Sequence, residues 1–471
     1  MKLKRILLSI GALTVAGFLG TVSYVYLSDK AQASKLLAEA KLQNPRHQQV
    51  ADILYSNGCQ YCHSTSAELP FYSKFPILDK MLETDIEGGK RTFLLNSIID
   101  GMKDPSKLSE VSLAKLERVI LNDEMPIARF THVHWGSKPN DEEKMLLLSW
   151  IREQRKALFL PKDTLGVDEN RLVQPIPDKL ETDPVKVALG NLLYHDGRLS
   201  ADGSIQCHTC HQLDKGGTDN LPVSVGIDGL KGGINAPTVY NSAFNFVQFW
   251  DGRAADLAEQ AGGPPLNPVE MGSKSWDEIV ARFEQDENFK QDFLKAYPEL
   301  NQANITHAIA EFEKTLITPN SAFDRYLKGD KTALNEAQVH GYELFQQYKC
   351  DTCHTGTAMG GQSYEYMGLF GDYFAARKTP LTDADQGRFA QTKDPYDMHR
   401  FKVPTLRNIA LTAPYMHDAR TSDLKEAVRI MLQYQSGKTL PDKDVADIAA
   451  FLESLTGEYQ GKLLTNESNK Q

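Results

Sequence analysis

The sequence predicts a mostly α-helical protein, with three domains of similar size behind one N-terminal transmembrane helix. Three observations carry this prediction. All six cysteines, Cys59, Cys62, Cys207, Cys210, Cys350 and Cys353, fall in three Cys-x-x-Cys-His motifs spaced 148 and 143 residues apart. An uncharged run from Ile6 to Leu27 follows Lys2, Lys4 and Arg5. Apolar residues recur at helical spacing, while strand alternation is weak throughout. The 41% hydrophobic share excludes wholesale disorder. With 52 Lys plus Arg against 62 Asp plus Glu and no basic stripe, nucleic acid is not expected as a partner.

The 22 residues from Ile6 to Leu27 make a helix of about 33 Å, enough for a hydrocarbon core of about 30 Å. A cleaved signal peptide has a shorter apolar core of about 7–15 residues. Tyr24 and Tyr26 stand at the far end, where interfacial aromatics collect. The basic residues place the N-terminus in the cytoplasm. The competing reading is cleavage after Ala33, because Ala31-Gln32-Ala33 resembles a processing site. Residues 1–28 are therefore expected to be a single-pass anchor in the inner-membrane bilayer, with the rest of the chain in the periplasm.

One Cys-x-x-Cys is compatible with a redox pair or half a zinc site. Three copies, each closed by His and leaving no cysteine for a disulfide, point to three covalently bound haems c. The cysteines would become thioethers, and His63, His211 and His354 would be the proximal iron ligands. The expected divisions are c-type cytochrome-like haem domains over 29–160, 161–320 and 321–471. Pro-rich seams at 160–177 and near Thr318-Pro319 mark the boundaries.

Helices are expected near 34–57, then from Asn140 through Lys156, and near 185–195, 275–296, 302–316, 335–349, 421–434 and 442–455. Asn140 is a cap; Asp141, Glu142 and Glu143 in the first turn and Arg155 and Lys156 in the last suit the helix dipole. In the first and third domains a helix leads into the motif, a long loop follows, and a helix closes the unit. In each, a methionine stands before the closing helix: Met125, 62 residues after His63 and followed by Pro126, and Met431. A thioether is a soft sixth ligand that raises a haem potential. Core packing is the bland alternative for either Met, and His132 and His134 are rivals for the first iron.

The middle domain departs from this layout. A glycine-rich stretch from Gly226 to Gly233 follows His211, and then NAPTVYNSAFNFVQFWDGRAADLAEQAGGPPLNPVEM. With LYHDGRLS, AIAEFEKTLITP, LRNIALTAPYMHD and AVRIM, the chain from Tyr194 to its last helix resembles the bacterial dihaem cytochrome c peroxidases. The anchor and the extra haem motif resemble the membrane-tethered trihaem branch, similar to quinol peroxidase. The resemblance implies hydrogen peroxide as substrate and membrane quinol, ubiquinol or menaquinol, as electron donor. It implies a peroxidatic haem on His211, with Glu270 and Gln260 lining its open face. Phe249 and Trp250 would lie around the pocket and between two haems. His354 and Met431 would ligate the electron-transferring haem. Asn235, with the carbonyls of Thr412 and Pro414, matches the family's calcium site. One position departs: Ile227 stands where members that need reductive activation keep a distal His.

The residues themselves allow less. Glu270 suits a proton shuttle between peroxide oxygens, and a solvated loop carboxylate is its ordinary reading. Met271 lies 60 residues after His211, so spacing alone offers a third Met ligand and a non-catalytic trihaem electron carrier. A peroxidase fed by a soluble cytochrome c is the other alternative.

Overall fold

The computed structural model describes residues 2–65, 67–160, 168 and 170–465; part of the first Pro-rich seam, residues 161–167, lies outside them. The chain divides into two compact units, Met1–Phe159 and Leu160–Gln471.

The first unit begins with α1 (Lys2–Ala40), a single helix of 39 residues. Its apolar stretch from Ser9 onward is long enough to cross a bilayer, and Leu13, Phe18, Leu19 and Leu27 face outward there. Its last turns belong to the folded domain. Ala33 and Ala40 are buried in one cluster with Val50 and Leu54 of α2 (Pro45–Ser56). The haem motif forms the short α3 (Gln60–His63), followed by α4 (Pro76–Thr92), α5 (Leu95–Lys103) and α6 (Glu110–Leu121). The single turn α7 (Ala128–Thr131) leads to α8 (Asp141–Leu158), whose Asn140 and Glu143 form a reciprocal capping box. Trp150 and Ile151 of α8 close the cluster.

Two expectations change here. The helix expected over 34–57 is two helices: Lys41 takes a φ of 51°, and Asn44 caps α2 with Pro45 in its first turn. The long loop expected after the first motif is largely α4, α5 and α6. Short helices gain most of their stability from packing an apolar face rather than from propensity, so their local signal is weak.

Ala31-Gln32-Ala33 lies inside α1, and Gln32 Nε2 donates to the Glu68 carbonyl at 2.7 Å. Asp29 accepts from the Tyr61 hydroxyl at 2.7 Å and from His134 Nδ1 at 2.7 Å. A chain starting at Ser34 loses these partners, whereas one starting at Asp29 keeps them. Denaturant titration is expected to find the first unit about 1–3 kcal/mol less stable in the shorter form, the usual cost of stranding buried polar groups. Equal midpoints would show that residues 29–33 are dispensable.

The second unit contains α9 (Pro184–Tyr194), α10 (Cys207–Cys210), α11 (Leu257–Gly262), α12 (Trp276–Glu284), α13 (Glu287–Ala296) and α14 (Gln302–Glu313). It continues with α15 (Ala322–Leu327), α16 (Glu336–Gln347), α17 (Cys350–Cys353), α18 (Tyr373–Arg377), α19 (Phe389–Thr392), α20 (Leu424–Met431) and α21 (Asp442–Glu453). The helix expected over 275–296 is broken into α12 and α13, because Asp286 accepts from the Phe289 amide and starts a new helix.

Each motif of this unit sits between a leading and a closing helix, α9 with α14 and α16 with α21. A glycine permits both crossings: a Cβ on Gly190 would run into the Ala308 carbonyl, and one on Gly341 into that of Asp447. The middle domain thus keeps the cytochrome helix pair and differs in its loops. Antiparallel β1 (Tyr364–Tyr366) and β2 (Arg400–Lys402) lie in the third-motif half. A terminal hairpin pairs β3 (Glu458–Tyr459) with β4 (Lys462–Leu463).

The two halves exchange their ends. Val173 packs in the cluster of Leu344 and Phe451, and the Gly356 amide donates to the Leu172 carbonyl at 2.8 Å. In return the Glu458 amide donates to Pro319 at 2.8 Å, and Tyr459 meets Tyr240 edge-on at 5.4 Å. This reciprocal embrace ties the two halves of the second unit together.

Candidate functional site

The Cys-x-x-Cys spacing sets both sulfurs of a motif on one helical turn, facing the same side. Burial pushes the Cys59, Cys207 and Cys350 thiols up to about 12, and Cys62 and Cys210 to about 11. An apolar surround of that kind fits a neutral thioether. Among the described residues, only His340, Asp444 and Asp447 bring three ligand atoms within 4.8 Å of one another. No motif therefore closes its own cysteines and histidine onto a tetrahedral zinc centre.

The imidazoles are set as neutral ligands. Burial holds His63 and His211 below the ordinary histidine range and pushes His354 down to about 4. His63 Nδ1 lies 3.2 Å from the Phe93 carbonyl, and His354 Nδ1 lies 3.1 Å from that of Met359. An Nδ1–H donated to a carbonyl leaves Nε2 for iron. His211 is held through its backbone, whose carbonyl accepts from the Tyr194 hydroxyl at 2.6 Å. The donor sets at all three motifs fit haem c.

Beside the second motif, Glu270 stands on the loop between α11 and α12. Asn267 Nδ2 donates to its Oε1 at 2.8 Å. Burial pushes the Glu270 carboxyl above the usual range, against the opposing pulls of Arg253 and that hydrogen bond. The Arg253 guanidinium lies 3.5 Å over the Phe249 ring and pairs with Asp251 at 3.0 Å. Gln260 belongs to α11, whose end at Gly263 approaches both the Gln260 carbonyl and the Phe249 ring. The glycine-rich loop folds in beside them. The Ile227 amide donates to the Glu270 carbonyl at 2.8 Å, and the buried Ile227 side chain meets Gly272. Met271 points elsewhere, into a core cluster with Leu189, Leu199 and Trp276.

Phe249 has a φ of 67°, in the left-handed region that a bulky residue enters only when its surroundings hold it there. The consequence is that two successive aromatics serve two places. Phe249 lies under Arg253, whereas Trp250, like Met416 and Met431, packs against the cluster of Phe401 and Ile430 in the third-motif half. Trp250 Nε1 donates to the Asn235 carbonyl at 2.9 Å, and the Lys402 amide donates to the Trp250 carbonyl at 2.8 Å. Burial pushes the Lys402 ammonium down to about 8; a haem propionate is the kind of partner that would restore its charge.

Asn235 donates from Nδ2 to Leu221 at 2.9 Å, which aims its Oδ1 the other way, and its amide donates to the His417 carbonyl at 3.0 Å. Asn220 Nδ2 holds the Leu411 and Ala413 carbonyls at 2.9 and 3.1 Å. The segments carrying Asn235, Thr412 and Pro414 are thus stitched together.

In the first unit Met125 is 44% exposed on the loop between α6 and α7. His132 is exposed, and its carbonyl accepts from Trp135. Both ring nitrogens of buried His134 are engaged, Nδ1 by Asp29 and Nε2 by the Tyr72 hydroxyl, so His134 has no nitrogen left for iron. The residues that sequence reasoning missed are Arg253, Asn267 and Lys402. Arg253 and Asn267 lie inside the quoted motifs, but nothing in their spacing ties them to Glu270.

A family model described as di-haem cytochrome c peroxidase matches residues 184–332, and a haem-binding domain model matches residues 17–153. The chain is 48% identical over 461 residues to cytochrome c peroxidase Ccp of Escherichia coli (strain K12), covering 98% of each. It is 43% identical over 320 residues to cytochrome c551 peroxidase of Nitrosomonas europaea, covering 67% of this chain and 92% of that one. Among solved structures it is similar to a MauG-like protein associated with microbial copper homeostasis, with a TM-score of 0.54 and 30% identity. That match covers 64% of this chain and 95% of the other.

Proposed function

The chain belongs to the di-haem cytochrome c peroxidase family and is a haem peroxidase, and on that premise we propose that it reduces hydrogen peroxide to water with electrons from membrane quinol. Three covalent haems c, on Cys59/Cys62/His63, Cys207/Cys210/His211 and Cys350/Cys353/His354, would supply the iron redox chemistry. The haem-binding match over residues 17–153 supports the third haem. In this reading 29–160 is a monohaem domain, 161–320 carries the peroxidatic haem and 321–471 the electron-transferring one. Met125 and Met431 would offer their thioethers to the first and third haems. Calcium would be held by Asn235 Oδ1 and the Thr412 and Pro414 carbonyls, with waters supplying the rest of a shell of about six to eight oxygens. α1 anchors the chain in the inner membrane, with the haem domains in the periplasm; the burial of Ala33 within the fold supports an uncleaved helix.

The observation that carries the catalytic reading is Glu270, a part-buried carboxyl with a raised proton affinity beside the second motif. Its carboxylate takes the proton from one peroxide oxygen and returns it to the other, so that the leaving oxygen departs as water. Gln260 orients the peroxide. Asn267 holds Glu270 in place, and Arg253 lowers the cost of its charged form. Phe249 and Ile227 keep bulk water out. Trp250 lies between the peroxidatic and electron-transferring halves.

The relatives' names favour a second reading, in which a reduced cytochrome c is the donor. Peroxide turnover by detergent-solubilised protein, offered ubiquinol, menaquinol and reduced cytochrome c in parallel, decides between them. Turnover with cytochrome c alone would overturn the quinol reading. Met125→Ala is expected to lower the first haem's potential and slow quinol-driven turnover more than dye-driven turnover. An unchanged spectrum would remove Met125 as the ligand.

A further inference from the structure

A buried polar chain in the first unit has no part in peroxide cleavage. Asp29 follows the apolar run of α1 by two residues. Its Oδ2 accepts from His134 Nδ1 at 2.7 Å, and its Oδ1 accepts from the Tyr61 hydroxyl at 2.7 Å. His134 Nε2 in turn accepts from the Tyr72 hydroxyl. His134 is 1% exposed, and its ring is stacked on Phe130 at 3.8 Å. Burying a carboxylate, an imidazole and a phenol together costs stability unless every group is satisfied. Here the pairing is complete, and it stands next to the first haem motif, of which Tyr61 is a member.

The surround of this chain is apolar and continuous with the membrane helix. Phe71 meets Tyr24 edge-on at 5.4 Å, and Trp135 meets Phe18 at 6.3 Å. Phe71, Phe75 and Trp135 are 44%, 53% and 49% exposed. Tyr24 and Trp135 are of the types that collect at a bilayer interface, and Phe71 and Phe75 stand open beside them. Phe71 precedes Tyr72 and Trp135 follows His134, which brings the Tyr72 end of the chain to that rim.

A quinol carries two protons with its two electrons, and haem iron takes only the electrons. Oxidation beside the first motif therefore needs a proton acceptor at the membrane surface. We propose that Tyr72, His134 and Asp29 form the proton-accepting wall of the quinol oxidation site, with the quinol ring seated at the rim of Phe71 and Trp135. This rests on the quinol reading above and adds the place and the groups.

In each half-reaction the quinol O–H bond breaks as its proton passes to Tyr72 Oη. Tyr72 passes its own proton to His134 Nε2 and ends unchanged. One electron leaves, and a haem c held at the first motif would be its acceptor. Asp29 stabilises the imidazolium formed, which releases its proton to the periplasm before the second round. Two rounds convert one quinol into one quinone, two protons and two electrons, which is what one peroxide consumes in forming two waters.

The test uses full-length holoprotein in detergent, with Tyr72→Phe and His134→Gln as variants. Anaerobic haem reduction is followed after mixing with ubiquinol or menaquinol, and separately with ascorbate plus a water-soluble mediator. Calorimetry measures binding of a non-oxidisable analogue, a heptyl-hydroxyquinoline N-oxide. Quinol-driven reduction is expected to fall by at least about 100-fold in Tyr72→Phe, the lower end of the acid–base range. Mediator-driven reduction and haem content should stay at wild-type levels. Analogue binding should weaken in His134→Gln. Tyr72→Phe loses one hydroxyl and keeps the ring, so it decides the matter if His134→Gln does not fold. Wild-type quinol rates and analogue affinity in both variants would place quinol elsewhere and overturn this site while leaving quinol as the donor. A wild-type protein reduced by cytochrome c but by neither quinol would overturn the donor reading itself.

Discussion

Glu270→Gln is expected to lower peroxide turnover by about two to four decades while haem content and the resting spectrum stay normal. Glutamine keeps the shape and can still accept from Asn267, but it cannot carry a proton from one oxygen to the other. The loss should appear in kcat and kcat/KM alike, because the group acts in the transition state. The pH profile checks the same role from another side. Burial raises the Glu270 proton affinity, so the base fills with protons at a higher pH than an ordinary glutamate, whose pKa is about 4.3. Wild-type kcat/KM should therefore rise with pH through a midpoint above that value, and the limb should vanish in the variant. Near-normal turnover in Glu270→Gln would return Glu270 to an ordinary loop carboxylate.

Ile227→His is expected to convert a resting enzyme that reacts with peroxide at once into one that does not. Ile227 cannot ligate iron. Its amide is bonded to the Glu270 carbonyl and its side chain packs at Gly272, so the loop is tied down on the same wall as the proposed proton shuttle. Stopped-flow mixing of fully ferric wild type with peroxide should show an immediate reaction and a high-spin ferric component at the His211 haem. The variant should show an added low-spin bis-His spectrum and a lag that pre-reduction of the His354 haem removes. A wild type that stays inert until one electron is added would mean that another group closes the site.

Much of this protein is legible in the chain because its haem chemistry is local. Two cysteines and a histidine within one helical turn define an attachment site wherever they fold, and three copies with no other cysteine announce a multihaem protein. The apolar length of α1 and the capping box at Asn140 are equally local signals. So are the motifs around Glu270 and Ile227, which place the peroxidase family before any contact is known.

Other features depend on residues far apart in sequence, and only the tertiary structure decided them. His134 and Asp29 are separated by 105 positions, so spacing from His63 left His134 open as an iron ligand until both its nitrogens were found engaged. Arg253 acts on Glu270 through its charge across the loops flanking α11, and Phe249 and Trp250 pack in different places beside one left-handed backbone angle. The crossing of residues 172–176 and 457–464 into opposite halves leaves no local trace. Covalent and helical signals act within a few residues and can be read from sequence; burial and side-chain pairing sum over the whole packed chain, and there the fold assigned Met271 to the core, raised Glu270 and held His134.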